Sequence, residues 1–94
     1  MANRSADEDA AWRAYVAELA TNLRRLRLAA GLTQEDVAYR SRLTRYTYQK
    51  YEKGESAPGH PANPTLRTLL AIAQTLDTPL SEVLPSSTPN LQLY

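Results

Sequence analysis

Between Thr33 and Gly54 the chain carries side chains suited to bonding base edges and phosphates. Arg45 can donate two bonds to guanine, Gln49 can pair both edge atoms of adenine, and Lys50 can reach guanine or phosphate. Tyr46 offers a ring that can stack on sugar or meet a thymine methyl. If Arg45 to Lys53 is helical, Arg45, Tyr46, Gln49 and Lys50 share its outward side, with Thr47 beside them, while Tyr48 and Tyr51 turn inward. Thr47, Arg42 and Lys53 are candidates for phosphate contact.

No catalytic constellation accompanies these residues: Ser and Asp occur without a partnered histidine base. The single histidine, His60, stands in a Pro-Gly-His-Pro loop with no second ligand, and there is no cysteine. Neither a metal nor any other cofactor is expected, and the expected class is not an enzyme.

The 94 residues suffice for one small domain. The formal charge is only +1, but it is sorted along the chain. Residues 1–23 carry a net −2, residues 24–53 set eight basic against three acidic residues for a net +5, and residues 54–94 carry a net −2. A basic middle third between acidic flanks is either a solvated face or the footprint of a polyanion. No apolar run reaches the roughly 18–20 residues of a membrane span. The expected location is the cytoplasm, in association with the nucleoid.

Apolar spacing supplies the elements that must hold these groups. Trp12, Val16, Leu19, Leu23, Leu26 and Ala30 recur at steps of three and four, predicting a first helix from about Asp7–Asp9 to Gly31. Thr33 and Asp36 form a variant capping box for a second helix ending near Arg40, with Val37 and Ala38 inward. Ser41-Arg42-Leu43 leaves room only for a tight turn. Thr44 then caps a third helix to Lys53, closed by Gly54. Glu55 to Asn63, with Ser56, Pro58, Gly59 and Pro61, reads as a loop or extended crossing. Asn63-Pro64-Thr65 opens a fourth helix, whose apolar positions are Leu66, Leu69, Leu70, Ile72, Ala73 and Leu76. Thr78-Pro79 caps and starts a fifth, with Leu80, Val83 and Leu84 inward. The expected fold is therefore all-α, a compact five-helix domain with a helix-turn-helix, and no strand. Its expected limits are residues 10–85, between an acidic, flexible segment 1–9 and a C-terminal tail 86–94.

The series Leu23-Arg24-Arg25-Leu26-Arg27, Gly31-Leu32-Thr33-Gln34-Glu35-Asp36-Val37-Ala38, Leu43-Thr44-Arg45, Tyr51-Glu52-Lys53-Gly54, Pro64 to Ala73 and Leu80-Ser81-Glu82-Val83-Leu84 resembles the Cro/repressor-type (XRE-like) helix-turn-helix family of DNA-binding transcriptional regulators. The resemblance covers about residues 16–84. It implies a phage-repressor-like fold and a homodimer, here expected to act as a repressor, reading a palindromic operator in the major groove of double-stranded DNA. It also implies that Gln34 contacts a base edge or a phosphate, that Thr33 and Thr44 contact phosphates through the helix ends they cap, and that one or two of Arg24, Arg25 and Arg27 reach the DNA backbone, Arg24 being the expected phosphate contact. The chain departs from the family at Arg42, where glycine with positive φ is common, and at Tyr48, where Ile or Val is usual. The expected dimer interface is Leu80, Val83 and Leu84 with Leu91 and Leu93 of the tail. The rival reading is a protein-interaction module, such as an antitoxin with a cognate toxin as partner, within a toxin–antitoxin or restriction-modification control system.

Overall fold

The computed structural model describes residues 6–92. Its helices are α1 (Ala6–Ala29), α2 (Gln34–Arg40), α3 (Arg45–Lys53), α4 (Leu66–Thr75) and α5 (Leu80–Val83). Three of the expected start signals are built as read. Thr33 Oγ1 accepts from the Asp36 amide while the Asp36 carboxylate accepts from the Thr33 amide, both at 3.0 Å, a reciprocal capping box. Thr44 accepts from the amide of Thr47, and Thr65 from that of Thr68. The fifth helix differs: its cap position is Pro79, which offers no side-chain bond, and Thr78 lies outside it. Helix α1 starts at Ala6, so residues 6–9 of the segment expected to be flexible are helical. Residues 1–5 of that segment lie outside the described residues.

One device closes three of the helices. In each, an amide two residues beyond the helix cap reaches back five residues: Leu32 to the Arg27 carbonyl, Leu43 to Ala38 and Thr78 to Ala73. This closure needs a left-handed residue just before that amide. Gly31 (φ 71°) supplies it cheaply after α1, whereas Arg42 (φ 59°) and Asp77 (φ 53°) carry side chains into the same conformation. Arg42 thus confirms the strained position that its family context implied. The penalty is about 1–2 kcal/mol for a residue of its type. Arg42→Gly is expected to relieve it, leaving a net gain of about 0.5 kcal/mol once the freer unfolded chain is counted. Urea unfolding at neutral pH checks this, with the turn intact and the midpoint raised.

The core gathers side chains from every helix. Leu23, Val37, Tyr48, Ile72 and Val83 are completely buried, with Leu19, Ala38, Leu69, Ala73 and Leu76 around them. Each large member contributes about 1.5–3 kcal/mol through the area it removes from water. Helix α1 packs against α3 and α5, and α2 against α3 and α4. Asn22 Nδ2 donates to the Val83 carbonyl at 3.0 Å, pinning α5 to α1. Two of the expected apolar positions of α4, Leu66 and Leu70, are exposed at 65% and 42%. Helix α4 meets its neighbours α2 and α5 along the Leu69–Ile72–Ala73–Leu76 side, which leaves that other edge in solvent.

The expected loop after α3 is not irregular. Strands β1 (Glu55–Ala57) and β2 (His60–Pro61) pair antiparallel around Pro58-Gly59. The all-α reading thus gains a small two-stranded hairpin. Gly54, at φ 82°, turns the chain directly from α3 into it.

Candidate nucleic-acid interface

Helix α3 divides its residues by face. Tyr48 (0% exposed) and Glu52 (2%) point into the domain, one helical turn apart. Arg45, Tyr46, Gln49 and Lys53 are exposed and Lys50 is half-buried, so the expected outward side is the observed one. The Lys50 ammonium sits 4.4 Å from the centre of the Tyr46 ring, a cation–π contact that holds the exposed phenol against α3.

The geometry of the face is set by a chain of polar bonds that begins in the interior. Arg27 on α1 donates from Nε to Glu52 Oε2 at 2.6 Å and from Nη2 to Oε1 at 3.0 Å, a two-pronged ion pair. Gln34 Nε2 donates to the same carboxylate at 3.1 Å, and Gln49 Nε2 donates to Gln34 Oε1 at 3.2 Å. The order of the amides at the surface is thereby dictated by a buried charge on α3 and its partner on α1. Burial pushes the Glu52 carboxyl up, but the bonds from Arg27 and Gln34, with the Tyr48 phenol nearby, outweigh it and leave its pKa below the ordinary value. Burial above all, then the Glu52 carboxylate, drives the Tyr48 phenol far up, so it is neutral at any working pH.

A cleft of about 600 Å³ lies beside this network. It brings together Arg24, Gln34, Tyr46, Gln49, Lys50 and Lys53 of the expected site, with Ser56, Ala57 and Pro58 of the hairpin. Arg45, Thr33, Thr44, Thr47 and Arg42 do not line it. Arg45, Thr33 and Thr44 are exposed at the starts of α3 and α2, with the two threonines spending their hydroxyls on capping and Thr47 bonded to Thr44 at 2.9 Å. Arg42 shares a separate groove with Arg40 and Arg67. Arg24 is committed within the protein, donating to the Glu52 carbonyl and to Thr21 Oγ1.

One expectation narrows and one needs correction. Of the three arginines on α1, Arg27 does not reach outward for a DNA backbone, because its guanidinium is spent on Glu52 and on the Leu32 carbonyl at 3.1 Å. Val83 cannot serve a dimer interface, because its side chain is wholly used by the core. Leu80 and Leu84 pack against that core and remain half-buried. Leu91 is 55% exposed beside Trp12 and Asn63, and Leu93 lies outside the described residues. Sequence reasoning missed Glu52 as the anchor of the face. Its signal was a lone acidic residue among the basic and aromatic positions of α3, one helical turn after an inward tyrosine.

Among the described residues no group of His, Cys, Asp and Glu could hold a metal ion, and no helix is long and apolar enough to cross a membrane. Comparison with curated proteins and with solved structures gave no match. The family model of the helix-turn-helix domain matches residues 18–84, a span that takes in α2, the turn at Arg42, α3 and the hairpin. With most of its length matched and its two short helices joined by that turn, the chain belongs to the helix-turn-helix domain family.

Proposed function

We infer that this protein is a sequence-specific transcriptional regulator, a repressor, that binds double-stranded DNA by laying α3 in the major groove. The observation that carries the reading is the anchored amide pair Gln34–Gln49 on a face where Arg45, Lys50 and Lys53 are left for an outside anion. Base edges need donors and acceptors in fixed places, and phosphates need unpaired positive charge; this face offers both. Arg45, Tyr46, Gln49, Lys50 and Gln34 are the proposed base readers. Lys53 and Arg42, with the helix ends that Thr33 and Thr44 cap, are the proposed phosphate contacts.

The test is selection of bound sequences from random duplex DNA at about 150 mM salt, a strength at which phosphate attraction alone is weak. A two-fold symmetric enriched motif is expected. No enrichment would overturn sequence-specific binding and move the reading to a protein-interaction module. Lys53→Ala is expected to weaken selected and random duplexes alike and to reduce the slope of log affinity against log salt by about 0.9, one phosphate contact. Titration across a salt series checks it.

The proposed dimer places two copies of α3 about 34–36 Å apart, one turn of DNA. Leu84, half-buried at the end of α5, is the residue proposed to meet its symmetry mate. Leu84→Asp is expected to yield folded monomers, read by sedimentation with circular dichroism as the control. A dimer that survives the substitution would exclude this interface.

A further inference from the structure

The groove shared by Arg40, Arg42 and Arg67 lies apart from the outward face of α3. Helix α2 packs against both α3 and α4, whereas α3 has its other partners in α1 and β1, and α4 in α5, so α2 stands between them. The groove runs between the end of α2 and α4, has a volume of about 640 Å³, and shares no lining residue with the cleft beside Gln49. Its floor is held by a buried bond. Ser41, 5% exposed, meets Thr75 Oγ1 through its Oγ at 2.9 Å, and Thr75 Oγ1 donates to the Ala71 carbonyl at 3.0 Å. A threonine hydroxyl has one hydrogen to give, so Ser41 is the donor of the first bond. That bond ties the C-cap of α2 to the last residue of α4 and sets the width between the two helices.

The charge on the groove is of one sign. Its lining residues include three arginines and no carboxylate. Among the described residues none of the three makes a hydrogen bond or an ion pair. Asp36, one helical turn before Arg40, offsets part of that charge, but α4 carries no acidic residue to do the same for Arg67. Arg42, in the turn that leads into α3, is the contact proposed above for a DNA phosphate. Arg40 and Arg67 have no part in it.

Free guanidinium groups are matched by carboxylates, which take two parallel bonds from one arginine. Arg67 and Thr75 are eight positions apart on α4, so the groove is about 12 Å long. That length holds about four extended residues, more than one small anion would fill. Between the charges, Thr68 and Gln74 supply partners for a peptide backbone, and Leu43 and Ala71 an apolar wall.

We propose that this groove docks an acidic segment of a partner protein, with Arg40 and Arg67 each pairing a carboxylate and Gln74 bonding the backbone between them. One exposed ion pair is worth little, but two in one concavity joined by a bonded backbone make a site. The site does not depend on the DNA-binding reading. A duplex on α3 and a partner on α4 are held on different sides of α2.

The test titrates the full chain into fluorescein-labelled hexaglutamate, read by anisotropy at about 50 mM salt, where exposed charges are weakly screened. The parent is expected to bind the peptide and to keep it when the selected duplex is added. Arg40→Glu and, separately, Arg67→Glu are expected to weaken the peptide about tenfold, because like charges then face each other, and to leave duplex affinity unchanged. Both arginines are exposed, so the fold is kept, and thermal unfolding confirms it. Lys53→Glu, on the α3 side, is expected to leave peptide affinity as it was. A parent that binds no hexaglutamate overturns the docking site, and so does an equal loss from Lys53→Glu, which would mean general attraction to positive charge. Expulsion of the peptide by duplex, with Arg67→Glu weakening the duplex, would overturn it too and give the groove to DNA phosphates. The peptide titrations decide the site even where no duplex is selected, so its failure and that of the DNA-binding reading are told apart.

Discussion

Glu52→Ala is expected to destabilise the folded protein by about 3 kcal/mol and to disorder the outward face of α3. The magnitude follows from burial. Removing one member of a buried ion pair costs about 3–5 kcal/mol because the other charge is left without a partner. Glu52 is 2% exposed and Arg27 is 13% exposed, so water can still reach part of the guanidinium and the lower end applies. Against a total stability of about 5–15 kcal/mol for domains in general, this is a large share. Urea unfolding of parent and variant measures it. Glu52→Gln keeps the volume and removes the charge, and it too leaves Arg27 unpaired; a loss under about 1 kcal/mol for that variant would refute the pairing as the source of the effect.

The same pair fixes a dependence on acid. The folded-state pKa of Glu52 lies below its ordinary value, so the ionised carboxylate contributes stability at any pH above the ordinary carboxylate range. That contribution is lost as pH falls below the range and through the lowered value. Asp36 acts in the same direction, its carboxyl held down by the Thr33 backbone and hydroxyl, although it is exposed and weighs less. Parent protein is therefore expected to lose stability below about pH 4, and Glu52→Gln to lose less of it over the same interval. The comparison isolates one carboxylate, since both chains keep Asp36.

Which features are legible in the sequence follows from how far apart their causes lie. The capping box of Thr33 and Asp36 spans three residues, and the stop at Gly31 is a property of one residue and its neighbours, so local sequence suffices for both. The outward set on α3 follows from helical period alone. The Arg27–Glu52 pair joins residues 25 apart, and only the packing of α1 on α3 brings them together. The hairpin has strands of three and two residues, too short for an alternating pattern, and its tether from Arg13 spans 46 residues. Val83 shows the limit from another side: an apolar residue on a four-residue helix fits a core or an interface equally well, and only its complete burial decides. The exposure of Leu66 and Leu70 is not legible for a related reason, since α4 is apolar around much of its surface and its period does not mark which edge is covered.

Gln49→Ala is expected to cost about 1–3 kcal/mol in affinity for the selected duplex and to relax base preference at one position of each half-site. A glutamine free in solvent would lose side-chain entropy on binding. Gln49 has already lost part of it, because its Nε2 is bonded to Gln34, which is bonded to Glu52, which is held by Arg27. The bond uses one of its two amide hydrogens. The remaining N–H and the carbonyl oxygen are the donor and acceptor that adenine requires side by side. Gln34→Ala should therefore weaken binding in part by releasing Gln49, and the double substitution should cost less than the two single losses added together. Titration of the four proteins against one duplex closes that cycle. Strict additivity would mean that the two amides act separately, and an equal loss on random DNA would remove Gln49 from the base readers.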